Sequence, residues 1–180
     1  DDSYIWAGCF NNNVYIIKCD YVNQNFDTVA ALMTHDNIVN SISLDPFIET
    51  NGRFASISDK GRLIIASFNK TNNIVNVIHN FDEFVNGKHK CVILQKKIDW
   101  SVDGRWLLSV DHHLIKKHNI LHARLINMDS FPNTQALIGH DSPVLIARFS
   151  KCLYCDKNSD GNNEQFQLCD TSDKNGNLII

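Results

Sequence analysis

His35, Ser56 and Asp59 stand in an order from which a Ser-His-Asp constellation could be built: a hydroxyl to attack, an imidazole to take its proton, a carboxylate to hold the imidazole. Two other groups could bind metal. Cys152-Leu153-Tyr154-Cys155 has the spacing of half a zinc site, with Cys169 as a third thiolate, and His118 and His122 lie four apart beside His112 and His113. Each meets a counter-argument. No nucleophile elbow, phosphate-cradling glycine loop or spaced carboxylate pair accompanies Ser56. Structural zinc needs four ligands and no second C-x-x-C exists. Two imidazoles four apart share a face only on a helix, whereas Asp111-His112-His113-Leu114-Ile115-Lys116-Lys117-His118-Asn119 reads as a loop entering a strand. The residues make no case for an enzyme, a metal or a cofactor.

The elements that must position these residues are short strands. Alternating apolar runs predict strands at Tyr4 to Phe10, Val14 to Cys19, Val29 to Met33, Val39 to Leu44, Phe54 to Ser58, Leu63 to Phe68 and Ile74 to His79. The same pattern predicts Cys91 to Trp100, Trp106 to Val110, His122 to Met128, Gln135 to Ile138, Val144 to Phe149 and Leu178 to Ile180. Asn11-Asn12-Asn13, Asp59-Lys60-Gly61 and Asn175-Gly176 supply residues that tolerate positive φ in hairpin turns. No long helix is expected.

A larger unit recurs. Thr34-His35-Asp36-Asn37-Ile38-Val39 and Gly139-His140-Asp141-Ser142-Pro143-Val144 both read as a His-anchored turn leading into an apolar strand. Trp100-Ser101-Val102-Asp103-Gly104 ends a strand and turns into Leu107-Leu108-Ser109. Four antiparallel strands and a loop, repeated at roughly 40 to 45 residues, make a β-propeller blade. The interval between His35 and His140 holds two blades if Asp82 to Lys90 and Asp111 to His122 are long loops. The expected fold is all-β, about three and a half four-stranded antiparallel blades of one domain, with portions at 1-33, 34-80, 81-138 and 139-180. In WD-repeat propellers a His before the first strand, a Ser in the second and a turn Asp form a buried hydrogen-bond network, a structural role for His35, Ser56 and Asp59. His140, Trp100, Asp103 and Gly104 are further repeat anchors.

Composition narrows the function. A formal net charge of −3 over 180 residues gives no electrostatic footprint for nucleic acid, so direct binding to a phosphate backbone is not expected. No apolar run approaches the roughly 18 to 20 residues that cross a bilayer, and no signal-peptide pattern occurs. Cys9, Cys19 and Cys91 fall in strand patterns where a small apolar residue fits, which favours reduced thiols over a disulfide framework. The sequon Asn69-Lys70-Thr71 reads as chance in an Asn-rich chain. The chain starts at Asp1 and stops at Ile180 inside strand patterns, so both ends are expected to be cut within a larger propeller.

Four features occur in one order: His35 with Leu44-Asp45-Pro46; Phe81-Asp82 before an extended strand; Trp100 to Gly104 with Leu107-Leu108-Ser109; and Gly139-His140 with Val144 through Phe149. In this order, and in the Phe81-Asp82 start that replaces a Gly-His anchor in the third repeat, the chain resembles the amino-terminal WD-repeat propeller of the HIRA family of histone chaperone subunits. Ser150 through Gln167 matches an insertion of that family, and nearly the whole chain is covered. The departures lie in the turns. No Trp-Asp dipeptide occurs, and Asn11, Lys60 and Asn175 hold the places usual for the turn Asp.

The resemblance implies a seven-bladed complete domain in the nucleus. It implies a non-enzymatic scaffold that docks a ubinuclein-type chaperone subunit, with core histones reached through the complex, in replication-independent nucleosome assembly and transcription regulation. Two rivals remain: the WD-repeat subunit of the replication-coupled chromatin assembly factor, and a general propeller adaptor such as a ubiquitin-ligase substrate receptor. Partner contacts are expected on the long polar loops, at Lys88, His89 and Lys90 and at Lys116, Lys117 and His118.

Overall fold

The computed structural model describes residues 3–81, 98–111, 121–130, 134–140, 146–150, 154–156 and 166–168. Among the described residues thirteen strands and one short helix run in the order β1 (Ser3–Gly8), β2 (Val14–Asp20), β3 (Asn25–Leu32), β4 (Val39–Leu44), α1 (Ile48–Asn51), β5 (Arg53–Ser58), β6 (Leu63–Asn69) and β7 (Ile74–Phe81), and continue with β8 (Ile98–Trp100), β9 (Trp106–Asp111), β10 (Leu121–Asn127), β11 (Thr134–His140), β12 (Tyr154–Asp156) and β13 (Phe166–Leu168). They form a three-stranded sheet β1-β2-β3, two four-stranded sheets β4-β5-β6-β7 and β8-β9-β10-β11, and a two-stranded pair β12-β13. Every pairing is antiparallel between strands consecutive in the chain. Hairpin connectivity of this kind follows from the Asn, Asp and Gly turns, since tight turns join only antiparallel neighbours.

The second sheet is buried on both faces, and its sequence says so. β5 and β6 depart from apolar-polar alternation: Leu63-Ile64-Ile65-Ala66 is a continuous apolar run, and each of its four residues is fully buried. Ala55, Ile57, Leu63 and Ile65 point one way and pack on Ile98, Trp100, Leu107 and Ile126 of the third sheet. Phe54, Ile64, Ala66 and Phe68 point the other way and pack on Val14, Ile16 and Leu32 of the first sheet. Tyr4 and Trp6 close that second cluster edge-on to Phe68, with ring centroids 5.5 and 6.3 Å away. Three sheets thus stack face to face, as consecutive propeller blades do.

Several expectations shift. β3 starts at Asn25 rather than Val29, because Asn25-Phe26-Asp27-Thr28 continues the ladder as an exposed edge. Asp111, expected to open a loop, is a paired residue of β9, opposite His122 of β10, the strand expected from His122 onward. Gly139 and His140 lie within β11 rather than in a turn, since the β10 ladder carries pairing as far as Leu121 with His140. Residues 146 to 150 are not strand, although 144 to 149 alternate; Phe149 N–H donates instead to the Asp99 carboxylate, at 2.9 Å. The ends of the expected insertion, Tyr154–Asp156 and Phe166–Leu168, pair as strands. The remainder of Cys91 to Trp100 before Ile98, and Leu178 to Ile180, fall outside the described residues.

Candidate interaction surface

His35 follows β3 by three residues and reaches across to β5 of the second sheet. Its Nε2 lies 2.7 Å from Ser56 Oγ, both residues being buried, while Nδ1 has no hydrogen-bond partner among the described residues. Burial pushes the imidazole down to about 4, with Arg62 adding to the shift and Asp36 opposing it. The neutral ring is therefore a fixed hydrogen-bonding strut between sheets at neutral pH. Asp59 stands apart from this pair: it is exposed, and its Oδ1 accepts from Asn40 Nδ2 at 3.1 Å. A carboxylate nearer to the buried end is Asp36, which accepts from Ser58 Oγ at 3.4 Å and lies 3.9 Å from Arg62 Nε. His35, Ser56 and Asp59 do not assemble the hydroxyl-imidazole-carboxylate relay that nucleophilic catalysis requires.

The other anchors hold turns and sheet contacts. Ser101 Oγ donates to Asp103 and accepts from Trp106 N–H at 2.9 Å, and Asp103 also accepts from Arg105 N–H at 3.1 Å, closing the β8–β9 turn. Gly104 sits there at φ +67°, and a Cβ in its place would meet the Phe47 ring at 3.1 Å and Asp45 Oδ1 at 3.2 Å. Trp100 is buried in the contact between second and third sheets and donates through Nε1 to Ser43 O at 3.2 Å. His140 is placed by its backbone in β11. Lys88, His89, Lys90, Lys116, Lys117 and His118 lie outside the described residues.

Sequence reasoning missed a charged clamp between these sheets. Asp45, whose side chain is fully buried, accepts from Arg53 Nε at 2.7 Å, from Asn51 Nδ2 at 3.1 Å and from Phe47 N–H at 2.7 Å. Arg53 lies over the Trp100 ring at 5.3 Å and reaches Gly104 O at 3.4 Å. Asp45-Pro46, followed eight residues later by an Arg that opens a strand, was the available signal. Asp99, also buried, is a second missed tie, receiving Phe149 N–H with Arg148 at 4.0 Å.

The thiols of Cys9 and Cys19 are free. Cys155 is placed by its backbone in β12, while Cys152, Cys169 and Cys91 lie outside the described residues. Among the described residues no group of three or more His, Cys, Asp or Glu side chains could hold a metal ion, and no helix is long and apolar enough to cross a membrane. Exposed chemistry is concentrated at the strand ends of the first sheet, where Phe10 and Met33 are 85% and 70% exposed at one end and Tyr21 and Val22 are exposed at the other.

No family model matches the chain. Solved structures do. A β-propeller domain of Cps50 (Swd1) from Myceliophteria thermophila superposes with a TM-score of 0.58 at 10% identity, covering 82% of this chain and 44% of that one. A chain in the crystal structure of the mitotic checkpoint complex superposes with a TM-score of 0.52 at 14% identity, covering 82% of this chain and 40% of that one. The fold is a partial WD-repeat β-propeller. The chain spans less than half the length of the solved chains it matches.

Proposed function

We propose that the chain is a non-enzymatic scaffold of a HIRA-type histone chaperone complex. It would act in the nucleus in replication-independent nucleosome assembly and transcription regulation. The observation that carries the scaffold reading is the doubly covered second sheet: it fixes the strand ends of three successive sheets relative to one another, so that loops project from a preorganised frame. Support for the chaperone class comes from the ordered run of His35 with Leu44-Asp45-Pro46, Phe81-Asp82, and Trp100-Ser101-Val102-Asp103-Gly104, the last of which forms the β8–β9 turn. The partner is a ubinuclein-type subunit, with core histones joined through the complex.

Pull-down from nuclear extract with the propeller as bait, read by mass spectrometry, tests this reading. Chaperone subunits and histones should be recovered. Recovery of ubiquitin-ligase components instead, or of the replication-coupled assembly factor, would replace it. Alanine replacement of Lys88, His89 and Lys90, or of Lys116, Lys117 and His118, is expected to weaken partner binding with the thermal transition shifted by no more than about 0.5 kcal/mol. Unchanged affinity in both variants would remove these loops from the contact surface.

A further inference from the structure

Asn51-Gly52 carries a latent chemistry of its own. An Asn followed by Gly cyclises readily, because no Cβ hinders the approach of the glycine nitrogen to the side-chain amide. Hydroxide removes the Gly52 N–H proton, the nitrogen attacks Asn51 Cγ, and ammonia leaves a cyclic imide. Water then opens the imide at either carbonyl. One branch gives an aspartate of ordinary backbone, and the other an isoaspartate whose backbone runs through its side chain.

The fold has built this pair into its charged clamp. Gly52 ends α1 at φ +65°, and an added Cβ would collide with Phe68 O, so no other residue type fits there. Asn51 is exposed, and water and hydroxide reach it. Every atom that cyclisation uses is nevertheless tied down. Gly52 N–H donates to Ile48 O at 2.9 Å, Asn51 Nδ2 donates to Asp45 Oδ2 at 3.1 Å, and Asn51 Oδ1 accepts from Arg53 N–H at 2.8 Å. All three bonds must break before the nitrogen can meet Cγ.

We propose that Asn51 is a conditional deamidation site, unreactive while the Asp45-Arg53 clamp is closed and reactive once it opens. The product cannot rebuild the clamp. Deamidation replaces the Nδ2 donor by a carboxylate oxygen beside Asp45, whose own side chain is fully buried, and the two anions repel. The isoaspartate branch lengthens the backbone just ahead of Arg53, which pairs with Ser67, and moves it away from Asp45 and the Trp100 ring. A transient opening between the second and third sheets is thereby made irreversible. This chemistry is separate from the docking of a partner, and either reading survives the failure of the other.

Peptide mapping by mass spectrometry, on the chain held at mildly alkaline pH with and without urea, tests the proposal. Asn51 is expected to deamidate roughly a hundredfold more slowly in the folded chain than in the urea-unfolded one, the scale of a local opening. The retardation should be at least as large as the hydrogen-exchange protection of the Gly52 amide, since both need the bond to Ile48 broken. Arg53→Ala is expected to speed the folded-state reaction at least about tenfold. Asn51→Asp, the product of the direct branch, is expected to lower the urea midpoint, and Asp45→Asn added to it to recover part of that loss. Equal rates in the folded and unfolded chain would overturn the proposal, as would a rate that Arg53→Ala leaves unchanged. If Arg53→Ala does not fold, the wild type decides: deamidation retarded less than Gly52 exchange is contrary to it. An unchanged midpoint in Asn51→Asp would overturn the irreversible opening.

Discussion

At the scale of single residues, two serines in equivalent places have unequal surroundings. Ser56 pairs with Ile42 and Ser109 with Ile98, each on the second strand of its sheet and each fully buried. Ser56 shares its hydroxyl with His35, whereas Ser109 Oγ has no hydrogen-bond partner among the described residues. Ser56→Ala should therefore cost about 1–3 kcal/mol by orphaning the buried imidazole, and Ser109→Ala should be near neutral in chemical denaturation. The histidine also sets a pH response. Its folded-state value near 4 lies below the ordinary 6.5, so the unfolded chain binds the extra proton between those limits. Its contribution to stability is complete above about pH 6.5 and is lost as pH falls toward 4. Across that window the melting temperature of the wild type is expected to drop further than that of His35→Gln. Equal drops would show that the ring is not held neutral by burial.

At the scale of elements, the strands of the three stacked sheets were legible and their ends were not, while 146 to 150 proved not to be strand and the pair β12 and β13 was not foreseen. The apolar runs at Val14, Phe54 and Leu63 announced β2, β5 and β6, since apolar periodicity reports burial directly. The exposed start of β3 was hidden because Asn25, Asp27 and Thr28 break the apolar pattern, and an edge strand needs no buried residue there to pair. His140 was misread as a turn because Gly-His-Asp-Ser-Pro has turn composition, while the β10 ladder holds it in β11. Among anchors, the neighbourhood of His35 and Ser56 was readable from the repeat. The Asp45-Arg53-Trp100 clamp was not, because its members come from two sheets and their meeting depends on stacking. Arg53→Ala should be severe for its partial exposure, about 3 kcal/mol, because it leaves Asp45 buried without its cation; the urea midpoint measures this. Arg53→Ala/Asp45→Asn should recover part of that loss.

At the scale of the whole molecule, the second sheet is the spine, and the first and third sheets take their positions from it. Trp100 is the largest fully buried side chain in the contact between second and third sheets, so Trp100→Ala should cost about 3–5 kcal/mol and release the third sheet. Gly52 ties α1 to the same spine: it sits at φ +65°, accepts Phe68 N–H at 2.9 Å, and leaves a Cβ no room beside Phe68 O. The most direct measurement of this architecture is amide hydrogen exchange on the free chain, resolved by segment. Stacked sheets with one shared spine require β5 and β6 to exchange slowest, at the rate of global unfolding, with the edge strands β3 and β7 exchanging through local opening. Slowest exchange in β1 and β3, or equal protection in all three sheets, would contradict the stacked-blade account.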